Sequence, residues 1–126
     1  MLSNTVLWSL QGVLCFVFLA AGLLKMLRTR EQIMNGGGEW AVNVSARNIR
    51  IIGVLEIAAA IGIILPLYFN VMPVLTFFAA VGMIFTMIVA GSLHFKRGEM
   101  ALLLVTVATG FFAALVAFGR RGLLGL

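Results

Sequence analysis

Residues Ile51 to Tyr68 read IIGVLEIAAAIGIILPLY, and Glu56 carries the only charge among them. A helix rises about 1.5 Å per residue, so a segment of this length spans most of the ~30 Å hydrocarbon core of a bilayer. A membrane-crossing strand would be about half as long and would alternate in polarity, which this segment does not do. The segment therefore predicts a transmembrane helix with a carboxyl group inside the membrane.

Three further segments have the same apolar character. Across the whole chain, 63% of the residues are hydrophobic and only 10% are charged, whereas a soluble domain carries about 25% charged residues. The sequence therefore predicts an all-α fold, a transmembrane four-helix bundle formed by a single membrane domain, 1–126. The expected elements are helices at about 5–26, 51–68, 74–93 and 100–119, with a cytoplasmic loop at 27–50.

Basic residues are shared unequally between the two sides of this predicted bundle. Seven of the nine Lys and Arg residues lie in or beside the connections that follow helices 1 and 3, and only Arg120 and Arg121 lie on the other side. By the positive-inside rule we expect a protein of a bacterial-type cytoplasmic (inner) membrane with both termini outside. The first four residues, MLSN, lack a basic side chain, so we expect helix 1 to be retained rather than cleaved as a signal.

The net charge of +5 does not indicate a nucleic-acid partner. The positive charges lie at helix ends, where topology explains them, and no soluble segment is long enough to form a groove. The lipid bilayer, with its anionic headgroups, is the expected partner.

The connection after helix 1 is the long one. Its centre, NGGGEW, contains three glycines that break any helix. The residues before it can continue helix 1 beyond the membrane, Trp40 is expected at the headgroup level, and Ser45 is predicted to cap helix 2. An interfacial lid is an alternative for this connection, but we expect a plain linker.

Glu56 is the strongest indication of a function. A charge at the bilayer centre costs ~2.5–3.5 kcal/mol on insertion scales, so such residues face the bundle interior and tend to mark functional sites. Gly53 and Ala60 lie on the same helical face, where small side chains allow another helix to approach. Two interpretations stay open: Glu56 is a ligand or proton site, or it is a hydrogen-bonded packing residue.

Other polar residues gather at the same end of the bundle. Lys25 and His94 end helices 1 and 3, and Glu99 begins helix 4. Glu56 lies about 8 Å further into the membrane than these helix ends. We therefore expect its carboxyl group to stay apart from both cations and to be protonated for a large part of the time.

Several classes of site find no support in the sequence. A disulfide relay within the chain needs two cysteines, and Cys15 is the only one. His94 is the only histidine, whereas zinc takes three or four protein ligands. With no nucleophile–base pair or phosphate loop, we expect neither catalytic nor metal-binding residues. The candidate ligand-binding residues are Glu56, Lys25, His94 and Glu99, and Gln11 is expected to hydrogen-bond a neighbouring helix.

Pieces of all four helices resemble the DoxX-like family of small four-helix membrane proteins: FLAAGLLKM, RIIGVLEIAAAIGIILP, LTFFAAVGMIFTMIVAGSLHFKRGE and ALLLVTVATGFFAALVAFGR. The most specific pieces are G-x-L-E, which ends at Glu56, and H-x-x-x-G-E, which runs from His94 to Glu99. The resemblance implies the fold and singles out the same four candidate residues. Some relatives are subunits of thiosulfate:quinone oxidoreductase or partners in redox-stress complexes, and a distant animal relative helps assemble acetylcholine receptors.

Three functions remain open at this point. The resemblance implies an accessory or ligand-binding subunit of a membrane redox or quinone-linked system, with a quinone or another lipophilic ligand near Glu56. The alternative is an assembly or scaffolding factor whose partner is another membrane subunit or a second copy of the chain. A second alternative is a small proton-coupled transporter that uses Glu56, although small multidrug pumps carry their carboxylate in helix 1, where this chain has none.

Overall fold

The computed structural model describes residues 2–125. Four spans are long and apolar enough to cross a bilayer, which confirms the predicted all-α, four-helix fold. Within the described residues the structure contains no strand. The elements, in chain order, are α1 (Asn4–Leu27), α2 (Arg30–Asn35), a 3₁₀ turn (Glu39–Asn43), α3 (Ala46–Gly62), α4 (Leu65–Tyr68), α5 (Val74–Lys96), α6 (Met100–Gly119) and a second 3₁₀ turn (Arg121–Leu124).

The four spans form two closely packed pairs. Helix α1 packs along α3 and α5 packs along α6, while the pairs meet where α1 contacts α6 and α3 contacts α5. We call the end with both termini and residues 69–73 the terminal end, and the end with residues 28–45 and 97–99 the loop end. The tightest core fills the middle and the terminal half of the bundle, and its largest side chains are Leu14, Phe18, Ile63, Met83 and Val116.

The second span is interrupted next to Pro66. Because proline has no N–H, Pro66 cannot donate to the carbonyl of Gly62, and α3 ends at that glycine. The carbonyls at the break are satisfied from other helices: Thr76 Oγ1 donates to the Gly62 oxygen at 3.1 Å, and Gln11 Nε2 donates to the Ile63 oxygen at 2.6 Å. This confirms that Gln11 hydrogen-bonds a neighbouring helix, and it ties α1 and α5 to the break.

The connection between α1 and α3 is folded, so the prediction of a plain linker is wrong. Thr29 and Gln32 form a capping box that starts α2 as a separate helix, and α1 therefore does not continue beyond Leu27. Gly37, with φ of +98°, makes the turn that follows in a conformation that other residues rarely adopt. A small apolar cluster then holds the connection against the start of α3: Ile33, Ala41 and Ile49.

Arg30 fixes the 3₁₀ turn of this connection. Its guanidinium group donates to the backbone oxygens of Ala41, Val42 and Val44 at distances between 2.5 and 3.0 Å. One charged side chain thus bonds three carbonyls of this turn, one of which, that of Ala41, also accepts from the backbone N–H of Val44. The position of Trp40, inside the same turn, follows from this arrangement.

Two helix boundaries differ from those expected. Ser45 accepts a hydrogen bond from the backbone N–H of Asn48 and caps α3, as predicted, but α3 then begins at Ala46 rather than at residue 51. The connection is accordingly residues 28–45 instead of 27–50. Helix α5 continues to Lys96, three residues beyond 93. In both cases polar residues extend the helix past the apolar segment, which a hydropathy window does not count.

Removing the hydroxyl group of Thr76 should destabilise the protein by about 1–3 kcal/mol, because the carbonyl of Gly62 is then buried without a donor. Thr76→Val keeps the side-chain shape. Thr86→Val is the matched control, since the Thr86 hydroxyl donates to a carbonyl within its own helix. Unfolding in detergent micelles measures both changes. In a Pro66→Ala background the restored N–H reaches Gly62, and an undiminished cost of Thr76→Val there would contradict the capping role.

Candidate functional site

Two glycines bring α1 and α3 into close contact near the loop end. A Cβ atom on Gly22 would lie 2.8 Å from the backbone oxygen of Gly53, and one on Gly53 would lie 3.0 Å from the backbone oxygen of Gly22. Backbones approach this closely only where side chains are absent. Lys25 and Glu56 each follow one of these glycines by three residues, about one helical turn, so the contact brings the two side chains together.

Lys25 and Glu56 form a buried ion pair. Lys25 Nζ lies 2.7 Å from Glu56 Oε1, and the two side chains are 13% and 7% exposed. The prediction that Lys25 stays at the helix end, apart from Glu56, is therefore wrong. The close contact of the backbones leaves the flexible lysine chain within reach of the carboxyl group.

The aromatic ring of Trp40 covers this pair from the loop end. The ammonium group of Lys25 lies 5.4 Å from the centre of the ring, within the range of a cation–π contact. Arg30 sets the position of Trp40 by holding its 3₁₀ turn, as described above. The folded connection is thus part of the site.

His94 and Glu99 form a second polar pair, on the α5–α6 side. His94 Nδ1 lies 3.1 Å from Glu99 Oε1, and Arg97 Nε donates to the same oxygen at 3.2 Å. The hydrogen bond from His94 and the positive charge of Arg97 hold the pKa of the Glu99 carboxyl group below its usual value. Glu99 is therefore an ionised acceptor at neutral pH, and His94 Nδ1 carries the proton of the bond.

The bundle opens between its two helix pairs toward the loop end. The opening is a groove of about 540 Å³, which we call the loop-end groove. This volume lies in the range of about 300–1,000 Å³ that is typical of small-molecule sites. All four spans contribute to its walls, which are mostly apolar. The groove has few polar side chains: Lys25, Trp40, Glu56, Thr86, His94, Thr106 and Thr109.

Three of the four predicted ligand-binding residues line the loop-end groove, namely Lys25, Glu56 and His94. Glu99 does not line it and instead contacts the His94 ring at the α5–α6 turn. Sequence reasoning does not place Trp40 or Thr106 in the site. Trp40 is typical of a residue at the membrane interface. Thr106 belongs to a set of small residues spaced by four, with Gly110 and Ala114, and this spacing is typical of a helix contact. Neither pattern says which helices surround a cavity.

A second polar cluster lies at the terminal end. Arg120 Nε donates to Gln11 Oε1 at 2.8 Å, and Arg120 Nη1 donates to Asn4 Oδ1 at 2.7 Å. The guanidinium group also lies 5.3 Å from the ring of Trp8. Because Gln11 bonds the carbonyl at the break in the second span as well, this cluster joins α1, α3 and the end of α6. The sequence identifies Arg120 only as a charge that bears on topology.

A profile of the DoxX-like family matches residues 9–118. The chain belongs to the DoxX-like family. The matched range includes Lys25, Glu56, His94 and Glu99, so the resemblance seen in the sequence is confirmed. No curated protein and no solved structure matches the chain. Its DoxX-like membership and four apolar spans establish an integral membrane protein, whose surface of exposed Leu, Ile, Val and Phe side chains contacts lipid.

The geometry of this DoxX-like protein suits one kind of chemistry. An apolar groove that ends on an ion pair, an imidazole and an indole ring can hold a molecule with an apolar body and a small polar head. Because Lys25 and Glu56 are already paired, neither side chain needs a ligand for its charge to be tolerated in the membrane.

Lys25→Met should destabilise this DoxX-like protein by about 3–5 kcal/mol, because it leaves the Glu56 carboxylate buried without its cation. The double variant Lys25→Met/Glu56→Gln removes both charges and should recover most of the loss. Unfolding in detergent micelles measures both variants, and Lys96→Met at the exposed end of α5 is the control. A double variant as unstable as the single one would show that the pair is not what stabilises this contact.

Proposed function

We propose that this DoxX-like protein is an accessory, ligand-binding subunit of a membrane redox or quinone-linked system, with a lipophilic ligand such as a quinone in the loop-end groove. The observation that supports the proposal is a groove whose apolar walls end on the buried pair of Lys25 and Glu56. The apolar part of the ligand lies against the walls. A carbonyl oxygen on its polar head accepts a hydrogen bond from the ammonium group of Lys25.

The groove is accessible from the lipid. Leu55, Phe85 and Val105 contribute to its walls, and they are 63%, 64% and 62% exposed on the outside of the bundle. A molecule dissolved in the bilayer can therefore enter sideways, between the two helix pairs, without crossing water. This route suits a ligand that partitions into the bilayer. It favours a binding role over the uptake of a water-soluble substrate.

The polar end of the groove lies at the same depth as the folded connection. Trp40 contacts Lys25 there. Glu39 belongs to the same 3₁₀ turn as Trp40, and its Oε2 lies 3.8 Å from Arg97 Nη2. The head of a bound ligand thus lies beneath a structured surface that faces the loop side. We propose that this surface is where a partner subunit docks, on the cytoplasmic side of the inner membrane.

Filling the groove should abolish ligand retention. Ala90 lines the groove, and Ala90→Trp places an indole ring in it. Ala108→Trp on the outer face of α6 is the matched control, because Ala108 is exposed and does not line the groove. We expect the wild type and Ala108→Trp to retain a quinone after purification in mild detergent, and Ala90→Trp to lose it. Native mass spectrometry with solvent extraction measures the retained molecule.

Two results would contradict the proposal. Equal retention by both tryptophan variants would place the ligand outside the groove. A partner subunit that co-purifies in the absence of any small molecule, unaffected by Ala90→Trp, would instead support the assembly or scaffolding role.

The proposed orientation places both termini outside, since seven of nine basic residues flank the loop end. Single cysteines at Gly37 and Asn70, each in a Cys15→Ser background, test it with a membrane-impermeant maleimide on intact cells. Asn70 should react from outside and Gly37 only after lysis. The reverse labelling pattern would show that both termini lie inside and that the polar end of the groove lies in the outer leaflet.

A further inference from the structure

The charges around the loop-end groove cancel locally. Lys25 and Glu56 face each other at 2.7 Å. Behind the groove, Arg97 donates to Glu99 and also lies near Glu39. An anionic head would meet the Glu56 carboxylate, and a cationic head would meet the Lys25 ammonium group, with no unpaired opposite charge beside it. The groove is therefore unfavourable to charged headgroups of either sign.

The polar atoms of the groove are mainly acceptors. The hydroxyl groups of Thr86, Thr106 and Thr109 donate to carbonyls of their own helices at 2.8 to 2.9 Å, so toward the groove their oxygens can only accept. Glu56 adds a carboxylate, which can only accept, and one of its oxygens, Oε1, faces the ammonium group of Lys25 at 2.7 Å. On the donor side, the ammonium group of Lys25 already faces Glu56, and the indole N–H of Trp40 is the other donor group of the lining.

His94 adds a further acceptor. Glu99 accepts from Nδ1, so in the neutral imidazole ring the proton is on Nδ1 and Nε2 keeps a lone pair. Glu99 thus acts through His94: it does not line the groove, but it determines which kind of hydrogen bond the ring offers there. A ring without this partner is free to place its proton on Nε2 and to become a donor.

We propose that the loop-end groove selects amphiphiles whose headgroup is uncharged and donates a hydrogen bond, with an alcohol or phenol hydroxyl group as the preferred head. This inference rests on the proposed function, because it assumes that the groove binds a ligand. His94 Nε2 and Glu56 accept from the hydroxyl group, and Lys25 donates to its oxygen. For a quinone-type ligand, the reduced form, which carries hydroxyl groups, binds more tightly than the oxidised form, which only accepts.

The single histidine makes this inference directly measurable. Protein without a histidine tag, labelled with ¹⁵N-histidine and placed in lipid nanodiscs, reports the two ring nitrogens of His94 alone. The probes share one alkyl chain: dodecanol, its methyl ether, dodecyl phosphate and dodecyltrimethylammonium. We expect dodecanol to shift the Nε2 resonance at a mole fraction about tenfold lower than the ether, because a site that hydrogen-bonds a hydroxyl group rejects the analogue without one.

The outcomes separate this inference from the proposed function. If the ether or a charged probe binds as tightly as dodecanol, and Ala90→Trp abolishes the binding of all of them, the groove is a ligand site but the headgroup inference is wrong. If no probe shifts the ¹⁵N resonances of His94, and the Ala90→Trp variant gives the same result as the wild type, both the inference and the proposed function fail. A preference for dodecanol that Ala90→Trp removes supports both.

Glu99 is a positioning residue in this scheme, and three variants test that role. Glu99→Leu should move ¹⁵N intensity toward the Nε2-protonated form and reduce the preference for dodecanol over the ether. Glu99→Gln keeps an acceptor oxygen, so it should restore both the Nδ1-protonated form of His94 and the preference for dodecanol. Glu39→Leu removes another acidic side chain near Arg97 without touching His94, and it should change neither. An unchanged ring spectrum in Glu99→Leu would overturn the role assigned to Glu99.

Discussion

A backbone carbonyl inside a bilayer has no water to bond, and the arrangement of this bundle depends on how that requirement is met at the break in the second span. Pro66 removes the helical donor for Gly62, and two buried side chains from other helices take its place around the break. Thr76 reaches in from α5 and Gln11 from α1. Each bond is directional, so together they constrain how the helices are rotated and how deep they lie relative to one another. Gln11 also accepts from Arg120, which extends the same constraint to the end of α6.

Polar groups at the loop end must also find partners inside the bilayer, but some of their hydrogen-bond acceptors remain available there. Gly22 and Gly53 allow α1 and α3 to approach until Lys25 neutralises Glu56, which makes a carboxylate tolerable at this depth. The pairing balances charge without satisfying every acceptor. A polar atom that keeps a free lone pair beside a groove is a place where a ligand can contribute a hydrogen bond that the protein does not make itself. The terminal end, by contrast, uses its polar groups to join helices.

This difference between the two ends bears on function. A densely packed terminal half and an open loop half suit a protein that receives a molecule from the bilayer and presents its head near one membrane surface. The folded connection belongs to that surface, since Arg30 holds the turn that carries Trp40 over Lys25. A plain linker would leave the polar end of the groove uncovered. The structured one closes the groove on the loop side, and it forms the surface that we propose a partner subunit recognises.

The sequence by itself determined the number of spans, the all-α fold and the inward position of Glu56, because burial in lipid requires long apolar segments and makes an isolated charge conspicuous. It also identified the polar residues at the loop end. Only the tertiary structure decided which of these residues meet: Lys25 with Glu56, and His94 with Glu99. Hydropathy and helical periodicity give depth and face along one helix, whereas a pair or a groove depends on the rotation and separation of neighbouring helices. Close contacts such as that between Gly22 and Gly53, together with the side chains that satisfy the break at Pro66, set that rotation and separation here.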